Sequence, residues 1–386
     1  MTLRPYGLVI AGALELGLEV VVDESAPTRI EEIRPHTGVP DPYVLAPAFV
    51  NAHSHLEYHG LMAKLSSRSY WPWLREIAAA KRGQAQEQVR EDCFAGAREN
   101  RQTGVAVIAE HSDRPFSGEA MSSEGIGGVI FQEIIMIGEP SARPAKLAQI
   151  ELAAEQNRGA FRGPVFRTPH AYFTVDVETL SEVGGSGEPC SIHVAETALE
   201  SEFTRNGSGS IAEMLASLGL PNQPTGLSVV ASLKELGLVR PGAQFVHCCD
   251  LSEDDISLLH AGSVSVAHCP RSNAHLACPL APVREMLDAG LQVGLGLDSP
   301  ASSGPVDMFA EMRSAMDTSV KRGSPLSPEE IWNMANSMGA RSIPIDLPDW
   351  GIFKGSDIPL IKIHIPGARC AEDLIMAGRP DLVEWV

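Results

Sequence analysis

The stretch "VLAPAFVNAHSH", residues 44–55, is apolar for most of its length and ends in two histidines one residue apart. On a strand, alternate side chains share a face, so His53 and His55 point the same way. On a helix, residues two apart diverge and could not share a ligand. Pro47 counts mildly against a regular strand, yet seven further runs repeat the pattern. They are "GVAVIAEHS" (104–112), "GGVIFQEII" (127–135), "GPVFRTPHA" (163–171), "CSIHVAE" (190–196), "AQFVHCC" (243–249), "SVSVAHCP" (263–270) and "LQVGLGLDS" (291–299). Such near-continuous apolarity suits parallel strands buried on both faces.

Helix-like segments lie between the runs, among them "WPWLREIAAAKRGQAQEQVREDCFAGARENR" (71–101) and "SEDDISLLHAG" (252–262). The second opens on Ser252 as N-cap, carries acids in its first turn and stops at Gly262. Eight strand–helix units over roughly 250 residues define an α/β chain, a (β/α)8 TIM barrel. A doubly wound sheet is the alternative, but no G-x-G-x-x-G loop follows the first strand. Residues 1–45 and 344–386 read as short strands and turns. We expect both ends to meet in one small β-sandwich domain, with 46–343 forming the barrel domain.

Composition narrows the classes. The chain has 386 residues, 44% hydrophobic and 20% charged, the balance of a globular protein. A net charge of −19 argues against nucleic acid as a partner, since neutralising phosphates takes a surplus of Lys and Arg. The seven cysteines have no framework spacing and read as reduced thiols. Glu15 and Glu19 interrupt the apolar start, against a secretory leader. No apolar run is long enough for a membrane span. The expectation is a cytoplasmic protein with a small-molecule substrate and no membrane partner. Barrels often form homo-oligomers, so a homodimer is carried as well, although no interface is legible.

The chemistry sits at the strand ends, where barrel active sites form. His193 closes the fifth run with Glu196 just beyond, His247 closes the sixth, and Asp298 follows the eighth. Taken singly, each is an ordinary structural residue, and an Asp before Ser often makes a turn. Together, imidazoles and a carboxylate gathered round one pocket suit zinc or ferrous iron with a position left for water. Two other zinc patterns fail. His55 and His59 are four apart, but "HLEYH" is not H-E-x-x-H. "HLE" resembles H-x-E, yet "PCSIH" is no P-C-x-x-C.

The motifs "NAHSH", "IHVAET", "FVHCCDLSEDDISLLHAG", "HCPRSNAHL" and "GLGLDS", in this order, resemble the amidohydrolase superfamily. They are most similar to its branch of cytosine, guanine, S-adenosylhomocysteine and chloro-triazine hydrolases. "GIFKGSDIPLIKI" resembles that family's return into its small β-domain. Within the branch, "YWPWLREIAAAKR", "RTPHAYFTV" and "CPRSNAHL" look most like aminodeoxyfutalosine deaminases, enzymes of menaquinone synthesis.

The resemblance implies a single divalent metal, zinc first and Fe2+ as alternative, on His53, His55, His193 and Asp298. It implies proton transfer by Glu196 and His247, with Asp298 also catalytic. "TPHAY" offers no lysine for a bridging carbamate, which agrees with one metal. Ala48 departs from the family's usual Gly and puts only the local backbone in question. His170, Trp71, Trp73, Arg82 and Asn273 are the expected substrate-facing residues. Arg82 or Lys81 would meet a carboxylate tail, and His268 would shape the rim. His111 has no assigned role.

A metal lowers the pKa of bound water from 15.7 towards about 7. Asp298 would accept the water proton, Glu196 would protonate a ring nitrogen and then the departing ammonia, and His247 would polarise the tetrahedral centre. The implied reaction turns the adenine C6 amine of aminodeoxyfutalosine into a carbonyl. The alternatives are another N-heterocycle (S-adenosylhomocysteine or methylthioadenosine, guanine, cytosine, a triazine) or, more remotely, a catalytically silent metal-binding barrel.

Overall fold

The computed structural model describes all residues except 138, 139 and 223. Eight strands, labelled β1 to β8, fall on the eight runs. They are β1 Phe49–Ser54, β2 Val105–Ser112, β3 Gly127–Ile134, β4 Val165–Pro169, β5 Cys190–Val194, β6 Ala243–His247, β7 Ser265–His268 and β8 Val293–Leu295. They pair in parallel as two four-stranded sheets, ordered β4-β3-β2-β1 and β5-β6-β7-β8. Single parallel bridges join the sheets at both seams, Ala171 to His193 and Ser54 to Asp298. The strands thus follow one another in barrel order, with ladders inside each half and isolated bridges between halves.

Most positions of these strands are buried on both faces, which explains why their sequences do not alternate. Some of the buried polar residues of these strands are bonded to one another and to the backbone. Gln244 accepts from Ser191 Oγ at 2.8 Å and donates to the Ser342 carbonyl at 2.9 Å. Beneath the histidines, Ala52, Val246, Ala267 and Cys269 form a separate small apolar cluster. Gly296 permits a close approach there, because a Cβ on it would lie 2.8 Å from both His53 Cβ and Cys269 Sγ.

The expected helix at 252–262 is present as Glu253–Ala261, with a reciprocal capping box between Ser252 and Asp255. The long segment after β1 divides into Tyr70–Arg82 and Gln86–Gln102, broken at Gly83.

Both chain ends contribute to one five-stranded sheet. Its order is Val383–Trp385, Leu360–Ile363, Asp41–Pro47, Pro5–Ile10, Ala13–Leu16. A three-stranded sheet of Thr2–Leu3, Leu18–Val22 and Ile30–Pro35 lies in the N-terminal part. Two details differ from the expectation. The C-terminal tail includes a helix, Ala371–Ala377, where only strands and turns were read. The opening stretch is two strands, not one: Pro47, which has no N–H to donate, ends the sheet strand, and β1 starts at Phe49. Ala48 between them is held firmly. Its carbonyl accepts from Trp350 Nε1 at 2.7 Å and Asn336 Nδ2 at 3.0 Å, and its N–H donates to Pro359 at 2.9 Å. Alanine in place of the family's glycine therefore leaves no gap in the hydrogen bonding. Among the described residues, no helix is long and apolar enough to cross a membrane.

Candidate metal centre and active site

The strand ends converge as the barrel order requires. One group of ligand atoms within reach of each other comes from His53, His55 and His193, and a second from His53, His247 and Asp298. His55 Nε2 and His193 Nε2 are 3.3 Å apart, and His53 Nε2 is 3.9 Å from Asp298 Oδ1.

The outer ring nitrogens fix the tautomers. His55 Nδ1 donates to the His111 carbonyl at 3.0 Å, and His193 Nδ1 donates to the His170 carbonyl at 2.8 Å. Both Nε2 lone pairs are thereby turned inward, the arrangement by which second partners orient metal-binding histidines. Burial, with the neighbouring imidazoles, lowers the pKa of His53 and His55 well below the usual range, and burial lowers that of His193 to about 4. The rings are neutral and able to bind a cation.

These residues fit a divalent metal. His53 is fully buried, and neither ring nitrogen has a hydrogen-bond partner. An imidazole stripped of water without compensation is costly, and a bound cation removes that cost. Two ligands of a tetrahedral zinc also stand roughly 3.3 Å apart, given bonds of about 2.05 Å.

Three of the four strand ends reach their positions through left-handed backbone. Ala195 (φ 51°), His247 (71°), Cys248 (52°) and Asp298 (52°) are all non-glycine. Such conformations cost on the order of 1–3 kcal/mol each and persist where surrounding bonds over-determine them. The N–H of Asp298 donates to the His53 carbonyl at 2.9 Å, and Asp298 in turn accepts from the His55 N–H at 3.0 Å. The Ala195 carbonyl accepts from the N–H groups of Cys249 and Asp250, and Glu200 accepts from those of Ala195 and Glu196. Glu200 holds the backbone that presents Glu196. It was not read from the sequence, where it is one helical acid among many.

The groups expected to handle protons face the same small cavity, about 50 Å³, which His55, His193, Glu196, His247 and Asp298 line together. Burial raises the pKa of Glu196 well above the carboxylate range, reinforced by the charges of Asp298 and Glu200. Burial also raises Asp298 to about 6, against a hydrogen bond from Ser302. Asn273 Nδ2 donates to His247 Nδ1 at 3.0 Å, leaving the ring proton on Nε2, which lies 3.7 Å from Glu196 Oε1.

The expected substrate-facing residues divide. His170 lines the inner cavity, packs against His193 with ring centroids 4.7 Å apart and the rings tilted by 32°, and also faces a larger outer cavity of about 960 Å³. Trp73 is a buried inner wall, its Nε1 donating to the Ala301 carbonyl at 3.1 Å. Trp71 and the exposed Arg82 lie on the outer cavity. Asn273 and Lys81 have partners within the protein. Asn273 orients His247 through the bond just described. Lys81 is no free partner for a tail: it donates to Glu57 at 3.0 Å and Tyr58 OH at 2.7 Å, and pairs with Asp113 at 3.2 Å. His268 is buried as the last residue of β7, and His111 packs on His53 at 4.3 Å between centroids. Tyr58, stacked on His55 at 4.7 Å, and Tyr70, lining the inner cavity with Glu196, were missed. Both lie in the polar-apolar segment after the first strand, where nothing in the spacing marks an inward face.

Residues 44–347 match the profile of the amidohydrolase family. The 5-methylthioadenosine/S-adenosylhomocysteine deaminase of Pelotomaculum thermopropionicum is 33% identical over 352 residues, covering 86% of this chain and 75% of that protein. The enzyme of the same name from Thermococcus kodakarensis is 26% identical over 93% of this chain and 82% of its own. Among solved structures, an adenosine deaminase from Xanthomonas campestris with bound zinc superposes with a TM-score of 0.81 at 22% identity, covering 99% and 90% of the two chains. The Helicobacter pylori aminofutalosine deaminase in complex with methylthio-coformycin also gives 0.81, at 17% identity, covering 100% and 97%. The fold is that of these neighbours, a TIM barrel with an extra domain. Fold and site together define a metal-dependent hydrolase acting on C–N bonds. The chain belongs to the amidohydrolase family.

Proposed function

We propose that the protein hydrolytically deaminates the adenine ring of a 5′-substituted nucleoside, with aminodeoxyfutalosine as first candidate and a place in menaquinone synthesis. The observation that carries the deaminase reading is the buried cluster itself. Glu196, His247 and Asp298 face one cavity together with the inward lone pairs of His55 and His193.

We assign His53, His55, His193 and Asp298 as the metal ligands, zinc first and Fe2+ second. When bound, the ion supplies Lewis acidity and water acidified towards a pKa of about 7. Glu196, whose pKa burial raises and so favours the protonated form, donates to the ring nitrogen beside C6 and draws electrons from the carbon under attack. His247, its Nε2–H turned inward by Asn273, donates to the oxygen as charge develops there. Asp298 takes a proton from water, and Glu196 relays one to the departing ammonia. His170, Trp71 and Trp73 are proposed to hold the nucleoside.

The tail is assigned from the outer cavity, whose walls include Trp71, Leu74, Ile77, Ile135 and Met214, with Arg75 and Arg82 among its lining residues. Apolar walls with guanidinium groups suit an aromatic carboxylate. The names of the sequence relatives favour a second reading, methylthioadenosine or S-adenosylhomocysteine. Division into a composite domain (1–45 with 344–386) and a barrel domain (46–343) is likewise proposed, supported by the sheet the two ends share.

The test is ammonia release by metal-loaded protein from aminodeoxyfutalosine, methylthioadenosine, S-adenosylhomocysteine, adenosine, guanine and cytosine. A kcat/KM for aminodeoxyfutalosine at least tenfold above the rest is expected. Preference for a thioether nucleoside would install the second reading, and silence on all six would overturn deamination of these bases.

A further inference from the structure

Glu133 lies near the C-terminal end of β3 and is fully buried, with neither carboxylate oxygen hydrogen-bonded. Its oxygens sit 4.0 Å from His55 Nδ1 and 3.8 Å from His193 Nδ1, so it is lodged behind two of the proposed metal ligands. Each of those nitrogens already donates to a backbone carbonyl. The glutamate is therefore not the group that orients the rings, and its position needs another explanation.

Charge supplies one. A buried carboxylate is tolerated when a cation answers it. Lys81, the ammonium group nearest in the network, is occupied by Glu57 and Asp113. On the metal reading above, three neutral imidazoles and the Asp298 carboxylate leave a dication with one positive charge unbalanced. Glu133, on the far side of His55 and His193, has the sign and position to balance it.

We propose that Glu133 is a positioning residue whose charge tunes the metal site: it supplies the second negative charge for the dication through His55 and His193, without ligating it. The inference rests on the metal-site assignment. It also explains why a polar group without partners persists in a core position of β3. Without the ion it is a liability, and with the ion it is matched.

The test uses full-length native protein, Glu133→Gln and Glu133→Asp, each prepared free of metal and reloaded with zinc. Zinc affinity is measured by competition with a chromophoric chelator, and melting temperature is measured with and without zinc. Gln keeps the shape and removes the charge, so zinc affinity should fall roughly 10- to 100-fold. The metal-free melting temperature should hold or rise, because a buried acid without a partner is gone, and the rise on adding zinc should shrink. Asp should recover at least part of the affinity. Unchanged zinc affinity in Glu133→Gln would overturn the proposal, as would equal losses of melting temperature with and without zinc. Failure of the native protein itself to bind zinc would instead overturn the metal-site assignment, so the two failures are distinguishable.

Discussion

At the scale of the residue, the proposed division of labour makes Glu196 a proton carrier that contributes nothing to metal binding. Glu196→Gln retains the shape but cannot cycle a proton. Its kcat should fall by roughly 10²- to 10⁴-fold, while zinc content measured by elemental analysis stays native. His53→Ala should lose the zinc as well as the activity. Legibility in the sequence followed how tightly position constrains each side chain. His53, His55, His193, His247 and Asp298 stood at the ends of apolar runs, and a barrel brings such ends together. Glu133 met the same criterion in "GGVIFQEII", a lone acid near the end of an apolar run. It went unread because a single carboxylate has no partner visible in one dimension. Asn273 was read towards the substrate, but the fold turns its amide onto His247.

At the scale of the element, the helix Tyr70–Arg82 is the wall between the inner and outer cavities. One face presents Tyr70, Trp73 and Ile77 to the site, and Lys81 ties its end to Glu57 and Asp113. Burial alone would lower the Lys81 pKa, but these carboxylates outweigh it and hold the ammonium charged. Lys81→Met would leave the buried Glu57 with no cation, while Asp113 keeps Arg114 at 3.0 Å, at a cost of about 3 kcal/mol. Urea unfolding should show that loss of stability, and KM should rise more than kcat falls as the wall loosens. The helix was legible from its sequence because apolar and polar residues alternate with helical period. Its register against the site was not, since that depends on a salt bridge to residues 24 and 32 positions away. The Ala371–Ala377 helix was lost among strand-like neighbours, being too short to show a period.

At the scale of the whole molecule, the eight-strand order was legible because burial on both faces leaves a continuous apolar trace. The terminal sheets were legible only in outline, since short strands depend on partners far away in the chain. Glu19 in the three-stranded sheet illustrates this. It had been read only as an interruption of an apolar start, yet it accepts from Arg34 at 2.8 Å, Arg4 at 3.1 Å and Thr37. The Arg34 hydrogen bond, with those of Thr37, lowers its pKa to about 2. A depressed carboxylate stabilises the fold above its ordinary pKa near 4.5, and that contribution drains away as pH falls towards 2. Glu19→Gln should therefore melt lower than native at pH 7, with the gap narrowing at pH 3, as thermal unfolding followed by circular dichroism will show.

The seams between the two half-barrels carry a last consequence. Among the described residues each is a single bridge beyond which no ladder runs, and one seam joins Ser54 to Asp298 while the other reaches His193. His53 and His55 belong to the first half, His193 and Asp298 to the second. An ion gripped by all four is then a rivet driven through the joint between two shells, closing the barrel where the backbone alone leaves it lightly stitched. On the proposed assignment, chemistry and architecture would share one bolt, and drawing it with a chelator should loosen the barrel at these seams.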